Sequence, residues 1–176
     1  YLCIRFAMNI QELEKQYARL PQLKALAREL GKSSSETIFL EGLLASSAPM
    51  LFACLSAKCP RRMLFVLQDA EEAGYFYHDL TQLMGTSDVL FFPSSYRRAV
   101  KYAQRDPASE ILRMEVLSRI MRKALSTLYV VSYPEALAEL VVSKKTLDAR
   151  TLVLENDQTI AVTDIEKTLH EFGFHE

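Results

Sequence analysis

The sequence predicts an α/β protein: a parallel sheet with helices on both faces, followed by a short strand–helix tail that begins a second domain. Two observations carry this. Short apolar runs at Thr37–Leu40, Arg62–Leu67, Val89–Phe92 and Leu128–Val131 alternate with stretches of helical periodicity. The Arg62–Leu67 run is nearly continuous in apolar character, as expected for a strand covered on both faces by crossover helices.

The elements follow in order. Residues 1–35 form N-terminal helices. Asn9 with Glu12 makes a cap-plus-N3 pair, and Ile10, Leu13, Tyr17 and Leu20 recur at helical spacing. Pro21 opens a second helix with Leu23, Leu26, Ala27 and Leu30 inward, closed by Gly31. Tyr1–Ala7 is apolar but too short for a signal peptide, so Met8 is expected as the natural start and the residues before it as an extension. After the polar linker Lys32–Glu36, residues 36–142 carry the sheet. Thr37–Leu40 is its first strand and Ser47–Lys58 the helix that follows. Asp69 caps a helix to about Met84, with Gly85 past its end. Pro93 stops the Val89–Phe92 strand, and Asp106-Pro107 starts a helix with Ile111, Met114, Leu117, Met121 and Leu125 on one side. Glu110/Arg113 and Glu115/Arg119 are expected as surface pairs on it. Pro134 opens a helix through about Val142.

The register changes in residues 143–176. Thr151–Leu154 reads as a strand, and Thr163 with Glu166 as a capping box for a helix to Phe172. One strand and one helix cannot bury their own apolar faces, so this tail reads as the truncated start of a second domain.

Composition restricts the chemistry. Lys+Arg 21 against Asp+Glu 22 creates no global field for nucleic acid or membranes. No apolar run approaches the roughly 20 residues of a membrane span. Cys3, Cys54 and Cys59 contain no C-x-x-C pair and point to a reduced, cytoplasmic protein with packing thiols. His78, His170 and His175 stand at no metal-ligand spacing, so no metal is expected. The five glycines, Gly31, Gly42, Gly74, Gly85 and Gly173, permit neither G-x-G-x-x-G nor G-x-x-x-x-G-K-[ST].

Two segments remain as candidate sites. Gly42–Pro49 occupies the strand-to-helix turn where a phosphate loop sits in a nucleotide-binding sheet. Gly42, Ser46 and Ser47 with the helix N-terminus can still meet an anion. The plain alternative is an ordinary turn, since no Lys is present to reach a β/γ-phosphate. Tyr96–Arg105 places Arg97, Arg98, Lys101 and Arg105 among two tyrosines with no acid. This is either a weak, salt-sensitive nucleic-acid patch or a solvated connection. No nucleophile–base or paired-carboxylate constellation is nominated, so no catalytic residue is expected.

The wording and order of four segments resemble a known family. They are Pro60–Leu80 (PRRMLFVLQDAEEAGYFYHDL), Val89–Tyr96 (VLFFPSSY), Arg113–Leu117 (RMEVL) and Val130–Leu137 (VVSYPEAL). Together they look like the N-terminal region of bacterial transcription-repair coupling factor (Mfd), which is similar to the start of the excision-repair helicase subunit UvrB. The closing Thr163–Glu166 and Glu171–Phe174 segments fit the same order, and the resemblance covers roughly residues 36–176.

It implies a degenerate RecA/P-loop-helicase-like domain 1A at 36–142, with the start of an inserted UvrA-binding domain at 143–176. Gly42–Pro49 would be a vestigial phosphate loop. Only about fourteen residues, Pro93–Asp106, stand where UvrB carries its long DNA-gripping hairpin. Both departures favour the coupling factor over a nucleotide-dependent, UvrB-like DNA helicase domain. The implied role is scaffolding: recruitment of UvrA to stalled RNA polymerase and restraint of a downstream motor, with no cofactor in this region. The family's UvrA-contacting residues would follow Glu176, and its ATP-dependent DNA translocase motors lie further downstream.

Overall fold

A three-stranded parallel sheet organises the protein. The computed structural model describes residues 9–32, 37–96, 106–121, 127–149, 151–152, 154 and 156–171. They divide between two compact units, Tyr1–Glu139 and Leu140–Glu176.

In the first unit, α1 (Ile10–Arg19) begins where the Asn9 side chain accepts the Gln11 N–H at 3.3 Å. Pro21 at the first position of α2 (Pro21–Leu30) forces the chain to restart there. These helices pack on α3 (Ser47–Lys58) through a core of Leu23, Leu26, Met50, Leu51, Cys54 and Leu55. Leu13 and Tyr17 join that core, whereas Ile10 and Leu20 stay exposed.

The strands are β1 (Arg62–Val66), β2 (Val89–Phe91) and β3 (Leu128–Ser132), in the order β1-β3-β2. Leu64 pairs with Val130, which pairs in turn with Leu90. β3 is central and buried at all five positions. Between β1 and β2 runs α4 (Ala70–Met84). Asp69 caps it by accepting the Glu71 and Glu72 N–H groups, each at 2.9 Å, and Gly85 ends it at φ +81°.

One sheet face carries Phe65, Val131 and Phe91, which share a register line. Phe65 stacks against Phe52 of α3 and Phe76 of α4, both with centroids 5.0 Å apart, and Phe91 meets Tyr77 of α4 at 5.3 Å. The opposite face receives α5 (Pro107–Met121), which packs on β2 and β3. Helices therefore lie on both faces.

The structure corrects several expectations. Thr37–Leu40 forms no strand; all four residues are exposed, with Phe39 at 87%. The sheet thus has three strands in place of four. The Arg62–Leu67 run is covered on one face only, because α5 reaches β2 and β3 but leaves Leu64 and Val66 of β1 more than half exposed. α5 turns a different side inward. Its buried residues are Arg113 and Val116, with Leu117 partly covered, while Ile111 is 69% exposed. Arg113 is consequently no surface partner of Glu110. Glu115 and Arg119 do pair, at 3.7 Å. The helix opened by Pro134, α6, stops at Ala138, where Glu139 turns extended.

In the second unit, Ser143 caps a short helix, α7 (Lys144–Ala149), by accepting the Thr146 N–H. Leu147 is its buried residue. Residues 151, 152 and 154 are not strand. α8 (Val162–Glu171) starts one residue ahead of Thr163, so Thr163 sits inside the first turn and the expected capping box does not form there. The Ala161 carbonyl accepts the Asp164 N–H at 3.0 Å instead. Among the described residues, no helix is long and apolar enough to cross a membrane.

Candidate functional site

In open α/β sheets ligands gather beyond the carboxyl ends of the strands. Two features stand there. The first is the turn into α3. Gly42 adopts φ +79° and Ala45 φ +46°, two left-handed residues that reverse the chain before the helix. Ser46 holds the N-cap position without donating or accepting a capping bond through its side chain. The Ser47 hydroxyl is buried and unpartnered, and Pro49 is buried beneath it in the first turn.

A cavity of about 460 Å³ opens beside this turn. Leu43, Ser46, Pro49, Leu67, Glu72 and Asp79 are among its walls. Among the described residues no lysine or arginine lines it, while two carboxylate side chains do. A triphosphate needs a cation or a cradle of N–H groups where its charge lies. Here the helix N-terminus is answered by acids from α4. Gly42, Ser46 and Ser47 share the turn.

The second feature is a buried polar cluster at the carboxyl ends of β2 and β3. Arg113 of α5 is 6% exposed. Its Nη1 donates to the Pro93 carbonyl at 2.8 Å and the Ala136 carbonyl at 3.0 Å, and its guanidinium lies 4.2 Å over the Phe92 ring. The Glu139 carboxylate, 3.5 Å from Nη1, closes the pair. Glu139 also accepts from the Ser94 hydroxyl, from the Ser95 hydroxyl at 2.6 Å and from the Ser95 N–H at 3.0 Å. The Tyr133 hydroxyl accepts the Ser94 N–H at 2.8 Å, and Ser132 donates to the Phe92 carbonyl at 2.8 Å.

Burial pushes the Glu139 carboxyl up. The two serine hydroxyls, the Ser95 N–H and the Arg113 charge outweigh it and hold the group below its ordinary value. A carboxylate so occupied and so acidic is a poor proton acceptor near neutrality. Its role is to clamp the Pro93–Tyr96 loop against α5 and α6.

The basic residues Arg97, Arg98, Lys101 and Arg105 follow directly from that clamped loop and lie outside the described residues. Cys54 is buried and its thiol donates toward the Glu14 carbonyl at 3.5 Å. Burial raises its pKa and Glu14 adds to the effect, with Lys58 opposing, so the thiolate form is disfavoured. Among the described residues, no cluster of His, Cys, Asp and Glu has the arrangement of a metal site.

Sequence reasoning missed the Arg113–Glu139 cluster. Its signal was present: Glu139 is a lone acid inside the apolar run Ala136–Val142, and Arg113 lies three residues from Val116 on one helix face. Solitary charges in apolar surroundings mark buried pairs. Comparison with known proteins adds no relative: no family model, no curated protein and no solved structure matches this chain.

Proposed function

We propose that this chain is a non-catalytic scaffold of the transcription-repair coupling type. It is a UvrB-like, helicase-derived α/β domain that does not use nucleotide, joined to the opening of a UvrA-binding domain. In the longer protein it would help bring the excision-repair protein UvrA to stalled RNA polymerase and restrain the ATP-driven motor downstream. The family wording of residues 60–80, 89–96 and 130–137 supplies the resemblance. The observation that carries the non-catalytic reading is the turn into α3. By the resemblance Gly42, Ser46 and Ser47 stand at the phosphate-loop position, and the described residues lining the cavity beside them include Glu72 and Asp79 and no lysine or arginine. The Arg113–Glu139 cluster fits a scaffold, since the Glu139 carboxylate and Arg113 Nη1 are engaged in holding a loop.

Calorimetric titration of the 176-residue chain with ATP and Mg²⁺ tests this. The expected outcome is no saturable heat up to millimolar nucleotide. Micromolar binding overturns the reading and favours the nucleotide-dependent helicase domain.

A further inference from the structure

The residues on either side of the basic segment 97–105 meet at Ser95. Tyr96 leads into the segment and Asp106 follows it. The Asp106 N–H donates to the Ser95 carbonyl at 2.8 Å, so the chain returns to the place it left. Asp106 is in turn fixed to α5. Its carbonyl accepts the Glu110 N–H at 3.0 Å, and its carboxylate accepts the Ser109 hydroxyl at 2.8 Å. Ser95 is buried, and each of its polar groups is used. The carbonyl takes Asp106, while the N–H and the hydroxyl both go to the Glu139 carboxylate, at 3.0 and 2.6 Å. The Ser94 hydroxyl donates to the same carboxylate. An ionised carboxylate accepts at two oxygens and can hold several donors at once.

Glu139 also stands at the boundary between the two units. It is the last residue of the first, and the chain passes from it into Leu140, which is 99% exposed. α6 has ended one residue earlier, and a helix of five residues is too short to hold by itself. Among the described residues, the anchor of the chain after α6 is therefore the Glu139 side chain. Two further ties join the same stretches of chain. Arg113 Nη1 donates to both the Ala136 and the Pro93 carbonyls, and the Tyr133 hydroxyl accepts the Ser94 N–H.

We infer that Glu139 is a positioning residue for two places at once. Through Ser95 it sets Tyr96 and Asp106, the two feet of the segment that carries Arg97, Arg98, Lys101 and Arg105. Through its own backbone it sets where the chain leaves for the second unit. Order at the two places is then shared, and the coupling runs equally in both directions. Whatever steadies the feet of the basic segment also steadies the exit at Leu140. Whatever seizes the exit steadies those feet.

Backbone ¹⁵N relaxation on the full chain reads both places in the folded state, whatever the global stability. In the parent, the Tyr96, Asp106 and Leu140 amides are expected near the rigid order parameter of about 0.85. Ser94→Ala/Ser95→Ala removes both hydroxyl donors from Glu139 and should bring the distant Leu140 amide below about 0.6. Glu139→Ala should do the same at Tyr96 and Asp106, while Glu139→Gln keeps an acceptor and should restore most of the order. Ser95→Ala alone breaks a single bond and serves where the fuller variants do not fold; it should lower Asp106 and Leu140 together, by less. Leu67 and Ala73, bonded to Ser132 and Asp69, are the unchanged references. A Leu140 amide that stays rigid in the serine variants overturns the proposal. So does a loss of order confined to the side carrying the substitution, or a parent in which Leu140 is already flexible. An equal loss at Leu67 and Ala73 overturns it as well, because Glu139 is then only a support of the whole fold.

Discussion

Arg113 and Glu139 show how much a single buried charge decides. Cutting Glu139 back to Ala leaves the Arg113 guanidinium buried without its carboxylate and frees Ser94 and Ser95. Loss of one partner of a buried pair costs about 3–5 kcal/mol, so Glu139→Ala should lower stability toward that range in urea denaturation. Glu139→Gln keeps an acceptor for the serines and loses only the charge, so about 1–2 kcal/mol is expected. The pH dependence has a definite sign. Glu139 is more acidic folded than unfolded. Its contribution is fully present above the ordinary glutamate pKa and is lost as pH falls through the lower folded value. Urea midpoints below about pH 4 should therefore drop more steeply for the parent than for Glu139→Gln. Little of this was legible beforehand. A helical period says that one face is buried, but Arg113 enters that face only because Pro93 and, from a second stretch of chain, Ala136 and Glu139 converge on it.

At the scale of elements, local signals did well where the cause was local. Asp69, Gly85, Pro21 and Pro134 act within a few residues of themselves, and each start or stop they imply occurs. α4 tests this quantitatively. Asp69→Ala removes the acceptor of two N–H groups and should cost about 1 kcal/mol. Gly85→Ala meets no atom within 4 Å, so its penalty of about 1–3 kcal/mol is the backbone alone, held at φ +81° and ψ 175°, a region essentially confined to glycine. Thermal melts of the two variants check both figures. Elements that depend on distant partners were misread. Thr37–Leu40 has the residues of a strand but no bonded neighbour in this structure. The apolar stretch of β1 implied two covered faces, yet α5 packs on β2 and β3 and meets β1 at Arg62, leaving Leu64 and Val66 exposed. α6 ends at Ala138 because Glu139 is drawn into the serine loop, and that pull is invisible in its own sequence.

Over the whole molecule, the α/β class and the parallel sheet were readable from alternation, while the order β1-β3-β2 was not. The candidate site was half readable: the turn at Gly42–Pro49 by its place in the pattern, the Arg113–Glu139 clamp not at all. The two compact units meet in the chain at Glu139 and Leu140, and Leu140 is 99% exposed. Brief thermolysin digestion should cut first around Leu140–Val142, leaving a resistant product that ends near Glu139. Mass spectrometry of the product checks this.

The central position of β3 also bears on how the chain is made. β1 and β2 never touch each other; both bond only to the strand that leaves the ribosome last. Until residue 132 has emerged, 66 residues after the end of β1, two apolar strands wait with no ladder to join. Helices α1 to α4 can gather locally in that interval, but the sheet closes in one late step. A nascent chain stalled short of β3 would leave the β3-facing edges of β1 and β2 unbonded, making that length a natural point of chaperone dependence.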